Sequence, residues 1–566
     1  MKKLIIVGGV AGGATAAARA RRLSEDAEIV MFERGRYVSF ANCGLPYYVG
    51  GEIAQRGSLL VQTKAGLSGR FNLDIRVHHE VLAIDREAKR VRVRDLKKDV
   101  EFEESYDTLL LSPGAEPIRP PLKGIDDPRV HTLRNLDDVD RIKEAVDGGV
   151  EDALVVGGGF IGLELAENLT RRGIRVTLVE LLPQVLPPVD AEMAAPVHAA
   201  LKARGVRLVL ADGVTGFEEH EGRLRATLRS GGAIDCDLVA MAVGVRPESR
   251  LAREAGLEVN ERGGIVVDAQ MRTSDPSIYA VGDAVQVRDP VLGGEVMIPL
   301  AGPANRQARI AVDAIFGREA KYRGTQGTSI VRVFDLTVAA TGVSEKLLRQ
   351  KEVAYKKVYV SAKQHVAYFP GADWMTIKLL YGLERGEVLG AQIVGTEGVD
   401  KRIDVLAMAI QAGLTVHDLE EVELAYAPQY GAAKDPINLV GFVACNALCG
   451  DVEFLYADEA GPAPAEAWTV VDVRDDEEYL ADHIPGSIQI PLMELRDRLE
   501  EIPRDKPIAV CCYTGQRSYY ATRILRQRGV ACKNMAGGMR VYRCFHPAES
   551  GAADAAPPCC GKAACG

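Results

Sequence analysis

Two cysteines stand in settings that could handle sulfur. Cys43 lies in SFANCGLPYY, beside the small and polar residues Ser39, Asn42 and Gly44. A structural cysteine usually has apolar neighbours, so this setting predicts a reactive thiolate. No C-x-x-x-x-C pair accompanies it, so position 43 cannot store electrons as an internal disulfide. Its oxidised form is then a sulfenic acid made by peroxide, or a mixed disulfide with a thiol-bearing substrate. Cys512 opens CYTGQR, residues 512–517, between an apolar strand and a helix. The N–H groups of that loop and Arg517 are expected to stabilise a thiolate or persulfide on Cys512. Strand alternation puts Cys511 on the opposite face. Cys512 takes the chemistry because it begins the loop.

The elements around these cysteines are those of nucleotide-binding folds. KLIIVG at 3–8 is an apolar strand, GGVAGG a turn, ATAAARARRL an Ala-rich helix, and EIVMFE a second strand ending at Glu33. Gly8, Gly9, Gly12 and Gly13 surround Val10, which replaces the middle glycine of G-x-G-x-x-G. The segment 153–180 repeats the plan: Gly157, Gly159 and Gly162 complete the fingerprint, and Glu180 ends the second strand. Such glycines let the backbone approach a pyrophosphate at a helix N-terminus, and the acid accepts ribose hydroxyls. TLLLSPGA at 108–115 and SIYAVGDA at 277–284, ending in Gly282-Asp283, are further strand-to-turn junctions.

Residues 327–446 alternate strands with the helix VDKRIDVLAMAIQAG and read as an interface domain. ADEAGPAPAEAW at 457–468 reads as a linker of about 12 residues, with a reach of up to ~40 Å when extended. A compact α/β unit follows. The end, AESGAADAAPPCCGKAACG, is low-complexity and is expected to be disordered.

At 566 residues the chain is too long for one core. A net charge of −10 argues against general nucleic-acid affinity, and no long apolar run predicts a membrane span. Eleven cysteines without scaffold spacing fit a cytoplasmic protein with catalytic thiols. CNALC at 445–449 and CCGKAAC at 559–565 have no second matching pair and no nearby histidines in sequence, so no metal is expected.

On GGVAGG, SFANCGLPYY, GGGFIG, SIYAVGDA and AYAPQYG, residues 1–450 resemble the coenzyme A-disulfide reductases of the flavoprotein disulfide reductase superfamily. With WTVVDVRDDEEYLADHIPGSIQIPL, CYTGQR and NMAGGMRVY, the whole chain resembles the fusion of that enzyme with a rhodanese domain, which includes NADH-dependent persulfide reductases. The fold this implies is α/β: two Rossmann-like dinucleotide-binding domains, an α+β dimerisation domain and a C-terminal α/β rhodanese domain. The boundaries expected are 1–150 with 246–326 for FAD, 151–245 for NAD(P)H, 327–450 for dimerisation, 451–465 as linker, 466–548 for rhodanese and 549–566 as a Cys-rich tail.

The resemblance also implies site residues. FAD takes the first fingerprint with Arg34, Pro113, Gly114, Gly282 and Asp283, and NAD(P)H takes the second with Phe160 and Ile161. Coenzyme A follows Thr15, Arg19, Arg22, Ser39 and Asn42, with Arg70 beside the position where the family has a lysine, and with Asn305 and Arg309. Tyr368 and Tyr426 match a tyrosine pair that reaches the partner subunit's site in a homodimer. Asp472, Arg474 and His483 are expected to support the fold.

The function implied is NAD(P)H-dependent reduction of coenzyme A persulfide, polysulfide or disulfide through Cys43, with Cys512 delivering sulfane sulfur. Two alternatives are an NADH oxidase or peroxidase with a sulfur-carrying appendage, and a low-turnover redox sensor or sulfur carrier. Glu180 would repel a 2′-phosphate, and Leu181 and Leu182 offer no compensating charge. The expected outcome is a higher kcat/KM with NADH than with NADPH in steady-state assays; the reverse order would refute this reading of Glu180.

Overall fold

The computed structural model describes residues 2–547. The tail at 549–566, with Cys559, Cys560 and Cys565, lies outside the described residues. The chain divides into two compact units, residues up to 181 with 209–327, and 182–208 with those from 328 onward.

In the first unit, five parallel strands run in the order Ile278–Ala280, Thr108–Leu111, Lys3–Val7, Glu28–Glu33, Asp74–Val77. The inner strands are nearly continuous apolar runs because both faces of a parallel sheet are covered. Val7 stands in register with Phe32 and Leu111, so Gly8, Glu33 and Ser112 emerge together at one sheet end. That is where a doubly wound sheet binds nucleotide. A second parallel sheet carries Arg175–Val179, Asp152–Val156, Leu238–Met241 and Val130–Thr132 in that order. Residues 130–132 therefore belong to the second nucleotide sheet, not to the first domain as the 1–150 boundary had them. Their register with Val239–Met241 is a long-range pairing that no local pattern announces.

The second unit contains an antiparallel sheet in the order Ser329–Val333, Leu336–Gly342, Val388–Gly395, Trp374–Tyr381, Lys356–Lys363. It also contains a parallel sheet in the order Phe454–Leu455, Cys532–Met535, Ile508–Cys511, Thr469–Asp472, Ile488–Gln489. Two expected boundaries change here. Residues 182–208, expected within the NAD(P)H domain, pack in this unit, because Asp190 and Glu192 reach into the antiparallel sheet. The segment 451–465 is not an extended linker. Phe454–Leu455 is an edge strand of the parallel sheet, and the helix Ala457–Ala460 follows it. Asp458 then pairs with Lys357 at 3.2 Å and Arg349 at 2.8 Å, and the Tyr456 hydroxyl donates to the Lys357 carbonyl.

The parallel sheet's domain is thus seated on the antiparallel sheet's domain. Trp374 meets Tyr513 edge-on at 6.1 Å, Arg540 lies over the Trp374 ring, and Arg540 donates to Thr376 Oγ1 at 3.1 Å. At the centre of the unit Lys378, with no exposed surface, places its ammonium against Asp190 (2.9 Å), Glu345 (2.5 Å) and Glu192. Burial pushes the Glu345 carboxyl up, but the attraction of Lys378 outweighs it and holds the group at about 2. The stabilisation from Glu345 is present above the ordinary carboxylate range and is lost as pH falls toward 2.

Lys378→Met would leave buried Asp190 and Glu192 without their cation, while Glu345 keeps Lys357 at 2.9 Å. Removing one partner of such a cluster costs about 3–5 kcal/mol, so the first calorimetric unfolding transition should fall clearly at pH 7. An unchanged transition would contradict the role given to this lysine.

Candidate functional sites

The first site grows from the turn after strand Lys3–Val7. A Cβ on Gly8 would lie 2.1 Å from the Ser112 carbonyl oxygen, and one on Gly13 would lie 1.8 Å from the Gly8 oxygen. A Cβ on Gly12 would lie 2.6 Å from Ser112 Oγ, and Gly8 holds φ +95. No side chain fits at these places, so the turn stays tight and the helix Ala11–Leu23 starts at Val10 with no side-chain cap. Its first N–H groups and positive dipole end are available to an anion. Glu33 accepts from Gly9 N (2.8 Å) and Gly35 N (2.7 Å), which fixes its carboxylate over the turn.

The second fingerprint repeats this. Gly157 and Gly162 Cβ atoms would lie 2.3 Å from the Ala242 oxygen and 1.9 Å from the Gly157 oxygen, while Gly159 faces open space. The helix Phe160–Arg171 starts at Gly159 without a side-chain cap, with Ile161 exposed. Buried Glu180 accepts from Gly158 N at 2.6 Å. Both cradles have the tight turn, uncapped helix start and fixed acid that fit a dinucleotide, at Gly8–Gly13 with Glu33 and at Gly157–Gly162 with Glu180.

Other expected cofactor residues are near the first cradle. Gly114 has φ +73 and open space at its Cβ position, beside Pro113. The Pro113 carbonyl accepts from Arg134 at 3.3 Å. Gly282 N donates to Gln307, and Asp283 follows it. Burial raises the Asp283 carboxyl, partly countered by Arg134. Arg34 is engaged by Glu116 at 3.2 Å and Glu248 at 3.7 Å.

Cys43 sits in a short 3-10 turn, Asn42–Gly44, leading into the helix Leu45–Gly50, and is exposed. Just before it, Ser39 takes φ +48, a left-handed conformation unusual for a residue with a side chain. The thiol is not activated as its neighbours in sequence suggest. Desolvation raises it, and so do the charges of Glu164 and Asp283. Glu164, on the second fingerprint's helix, is itself pushed up by burial to about 7 and accepts from the Tyr47 hydroxyl at 3.2 Å. Sequence spacing gave no sign of Glu164, because it reaches Cys43 only through the fold.

The residues expected to hold coenzyme A fall partly together. Thr15 bonds Asn305. Arg19, one turn on, is paired with Asp313 at 2.6 Å, so it does not stand free as a phosphate grip. Arg309 lies exposed between Asn305 and Asp313 on the helix Ala301–Ile315. Arg22 is exposed, with its guanidinium 5.9 Å from the Phe71 ring centre, and Arg70 and Asn42 are exposed. In the second unit, the Tyr368 and Tyr426 hydroxyls meet at 3.1 Å, and both rings are exposed, as is Tyr430. That hydrogen bond raises the Tyr368 phenol.

Cys512 follows the strand Ile508–Cys511 and is buried. Its Sγ accepts from Gly515 N at 3.1 Å and from Ser518 Oγ at 3.3 Å. Gly515, at φ +94, caps the helix Gln516–Gln527. Gly538 lets the next turn pack beneath the loop, since its Cβ would lie 2.3 Å from the Cys512 carbonyl oxygen. Arg517, expected on the sulfur, is instead held by Glu478 through two bonds of 2.6 and 2.7 Å. The donors on sulfur are thus Gly515 and Ser518. Ser518 lies six residues after the cysteine, in the first turn of the helix, a place where a hydroxyl could have been noticed. Cys511 points into the core, where burial holds its thiol well above the usual range. Asp472 pairs with buried Arg474 at 2.7 Å, and His483 stacks on Tyr479.

The sequence profile described as Pyridine nucleotide-disulphide oxidoreductase matches residues 2–308, its dimerisation domain 328–435, and the Rhodanese-like domain 458–543. Coenzyme A disulfide reductase of Staphylococcus aureus is 37% identical over 446 residues, covering 78% of this chain and all of that protein. The structure of reduced Bacillus anthracis CoADR-RHD is 50% identical with a TM-score of 0.94, covering 96% of this chain and 98% of that one. A NAD-dependent persulfide reductase from A. fulgidus is 38% identical with a TM-score of 0.90, covering 95% of this chain and 100% of that one. The described residues contain no helix long and apolar enough to cross a membrane.

A hydrogen bond to a charged partner is worth about 1.5–3 kcal/mol. Ser518→Ala should therefore slow sulfur transfer through Cys512 about tenfold or more, read as the rate of thiosulfate-to-cyanide transfer. A wild-type rate would remove Ser518 from the cradle's chemistry.

Proposed function

The chain belongs to the pyridine nucleotide-disulphide oxidoreductase family, and on that premise we propose that it is an FAD-dependent NADH oxidoreductase reducing sulfur carried by coenzyme A. The preferred substrates are coenzyme A persulfide or polysulfide, and coenzyme A disulfide. The observation that carries the reading is the lone Cys43 in one unit with a second, separately built sulfur cradle at Cys512 in the other. An oxidase or peroxidase has no use for the second cradle. The related proteins named above support the same choice.

FAD, when bound, relays two electrons from NADH to the sulfur at Cys43. The residues do the rest. The Cys43 thiolate attacks the S–S bond of coenzyme A persulfide; hydrosulfide leaves, and a Cys43–S–S–CoA mixed disulfide forms. Two electrons and one proton then cleave it, restoring the thiolate and releasing coenzyme A thiol. Coenzyme A disulfide gives the same mixed disulfide with coenzyme A thiolate as leaving group. Desolvation, with the charges of Glu164 and Asp283, raises the Cys43 thiol. Each reductive cleavage delivers it as a thiolate, ready to attack.

Tyr368 and Tyr426 share one hydrogen bond on an exposed surface. In a homodimer they would complete the partner's site and protonate the leaving thiolate. Cys512 accepts sulfane sulfur as a persulfide under the Gly515 and Ser518 donors and passes it to coenzyme A thiol. Because its domain is seated by Asp458, Trp374 and Arg540 rather than tethered, a diffusible carrier thiol suits this transfer better than a swinging domain. Dependence on reduced thiols suits the cytoplasm.

Cys43→Ser should abolish reduction of coenzyme A persulfide and disulfide while NADH still reduces bound FAD. Cys512→Ala should abolish polysulfide-to-acceptor transfer yet leave reduction of preformed coenzyme A persulfide near wild type. Stopped-flow absorbance and hydrosulfide release measure both. Equal slowing of both substrates by Cys512→Ala would contradict the division of labour.

A further inference from the structure

The helices Val416–Glu421 and Pro436–Leu448 bracket the loop that carries Tyr426 and Tyr430. They touch closely because position 441 is glycine: a Cβ there would lie 2.4 Å from the Glu420 nitrogen. Asn438 fixes the contact by donating to the carbonyls of Leu419 (3.3 Å), Glu420 (3.3 Å) and Val422 (2.9 Å). One turn beyond Gly441 on the same helix face stands Cys445, and one turn before Glu420 stands His417. The fold therefore brings a histidine to CNALC, where the sequence has none nearby.

Ligand atoms of His417, Glu420 and Cys445 all lie within 4.8 Å of one another. Cys445 Sγ is 3.3 Å from His417 Nδ1. In a tetrahedral zinc site, bonds of about 2.0–2.3 Å place ligand atoms about 3.3–3.8 Å apart. Cys445 is buried, Glu420 half-buried and His417 exposed, so the cluster is anchored on one side and open to an entering ion on the other. Exposed Cys449 stands one turn after Cys445, at the end of its helix. The other compact carboxylate group in the described residues, Asp190 with Glu192 and Glu345, already holds the Lys378 ammonium and takes no ion.

We propose that His417, Glu420 and Cys445 form a binding site for a borderline-soft divalent cation of the zinc type. Binding replaces the Cys445 thiol proton with the cation and releases it to solvent. The cation ties the two helices together at the base of the loop bearing Tyr426 and Tyr430. Its role is thus to hold the loop, and the site takes no part in electron transfer.

Cobalt(II) is the probe, because a cysteine thiolate bound to it gives a charge-transfer absorption in the near ultraviolet. The test uses the full chain with Cys559, Cys560 and Cys565 replaced by serine, treated with chelator and titrated with cobalt(II). The expected result is one equivalent bound, with the thiolate band, displaced by zinc. The band should be lost in Cys445→Ser and lost or strongly weakened in His417→Ala. Because His417 is exposed, its substitution leaves the helix contact intact. A chain that shows no thiolate band, or the same band in either variant, overturns the proposal.

Discussion

The backbone at Gly8 and Gly157 runs so close to the next strand's carbonyl oxygen that a methyl group would overlap it. Everything at the nucleotide sites depends on that approach. It sets the start of each following helix directly against the sheet end, with its first N–H groups unclaimed by any side-chain cap. It also lets the neighbouring acid, Glu33 or Glu180, bond the turn itself and so stand where a ribose would lie. The same arrangement brings helix Phe160–Arg171, with Glu164, close enough for that carboxylate to act on Cys43. The cysteine's surroundings and the second nucleotide cradle are therefore built by one set of close contacts.

That construction gives Cys43 an unexpected character. Desolvation of the thiol and two carboxylates work against its thiolate, whereas Cys512 is met by two donors. The two sulfur centres thus differ in kind. One is suited to being regenerated as a thiolate by reduction. The other offers two hydrogen-bond donors to its sulfur, as suits a sulfur acceptor. A chain with both centres can load sulfur in one place and reduce it in another.

The parts legible from sequence were those written in adjacent residues. Glycine spacing, strand ends and terminal acids located both dinucleotide turns, and the loop CYTGQR located Cys512. Tyr368 and Tyr426 were found only by resemblance, since 58 residues separate hydroxyls that bond each other. What stayed hidden is set by packing between distant segments. Glu478 claims Arg517, Asp313 claims Arg19, and residues 130–132 join a sheet far along the chain. The Pro- and Ala-rich stretch near 457 looked like a free linker, yet Asp458 finds Lys357 and the preceding residues find a sheet edge. His417 meets Cys445 only because Gly441 lets two short helices touch.

The proposed cycle requires the Cys43 sulfur to take coenzyme A's sulfur. The most direct measurement is peptide mass spectrometry after thiol reduction, desalting and incubation with coenzyme A disulfide in the absence of NADH. The account predicts a coenzyme A adduct on the Cys43 peptide, released when NADH is added. An adduct confined to Cys512 or another cysteine, or an adduct on Cys43 that NADH does not release, would contradict it.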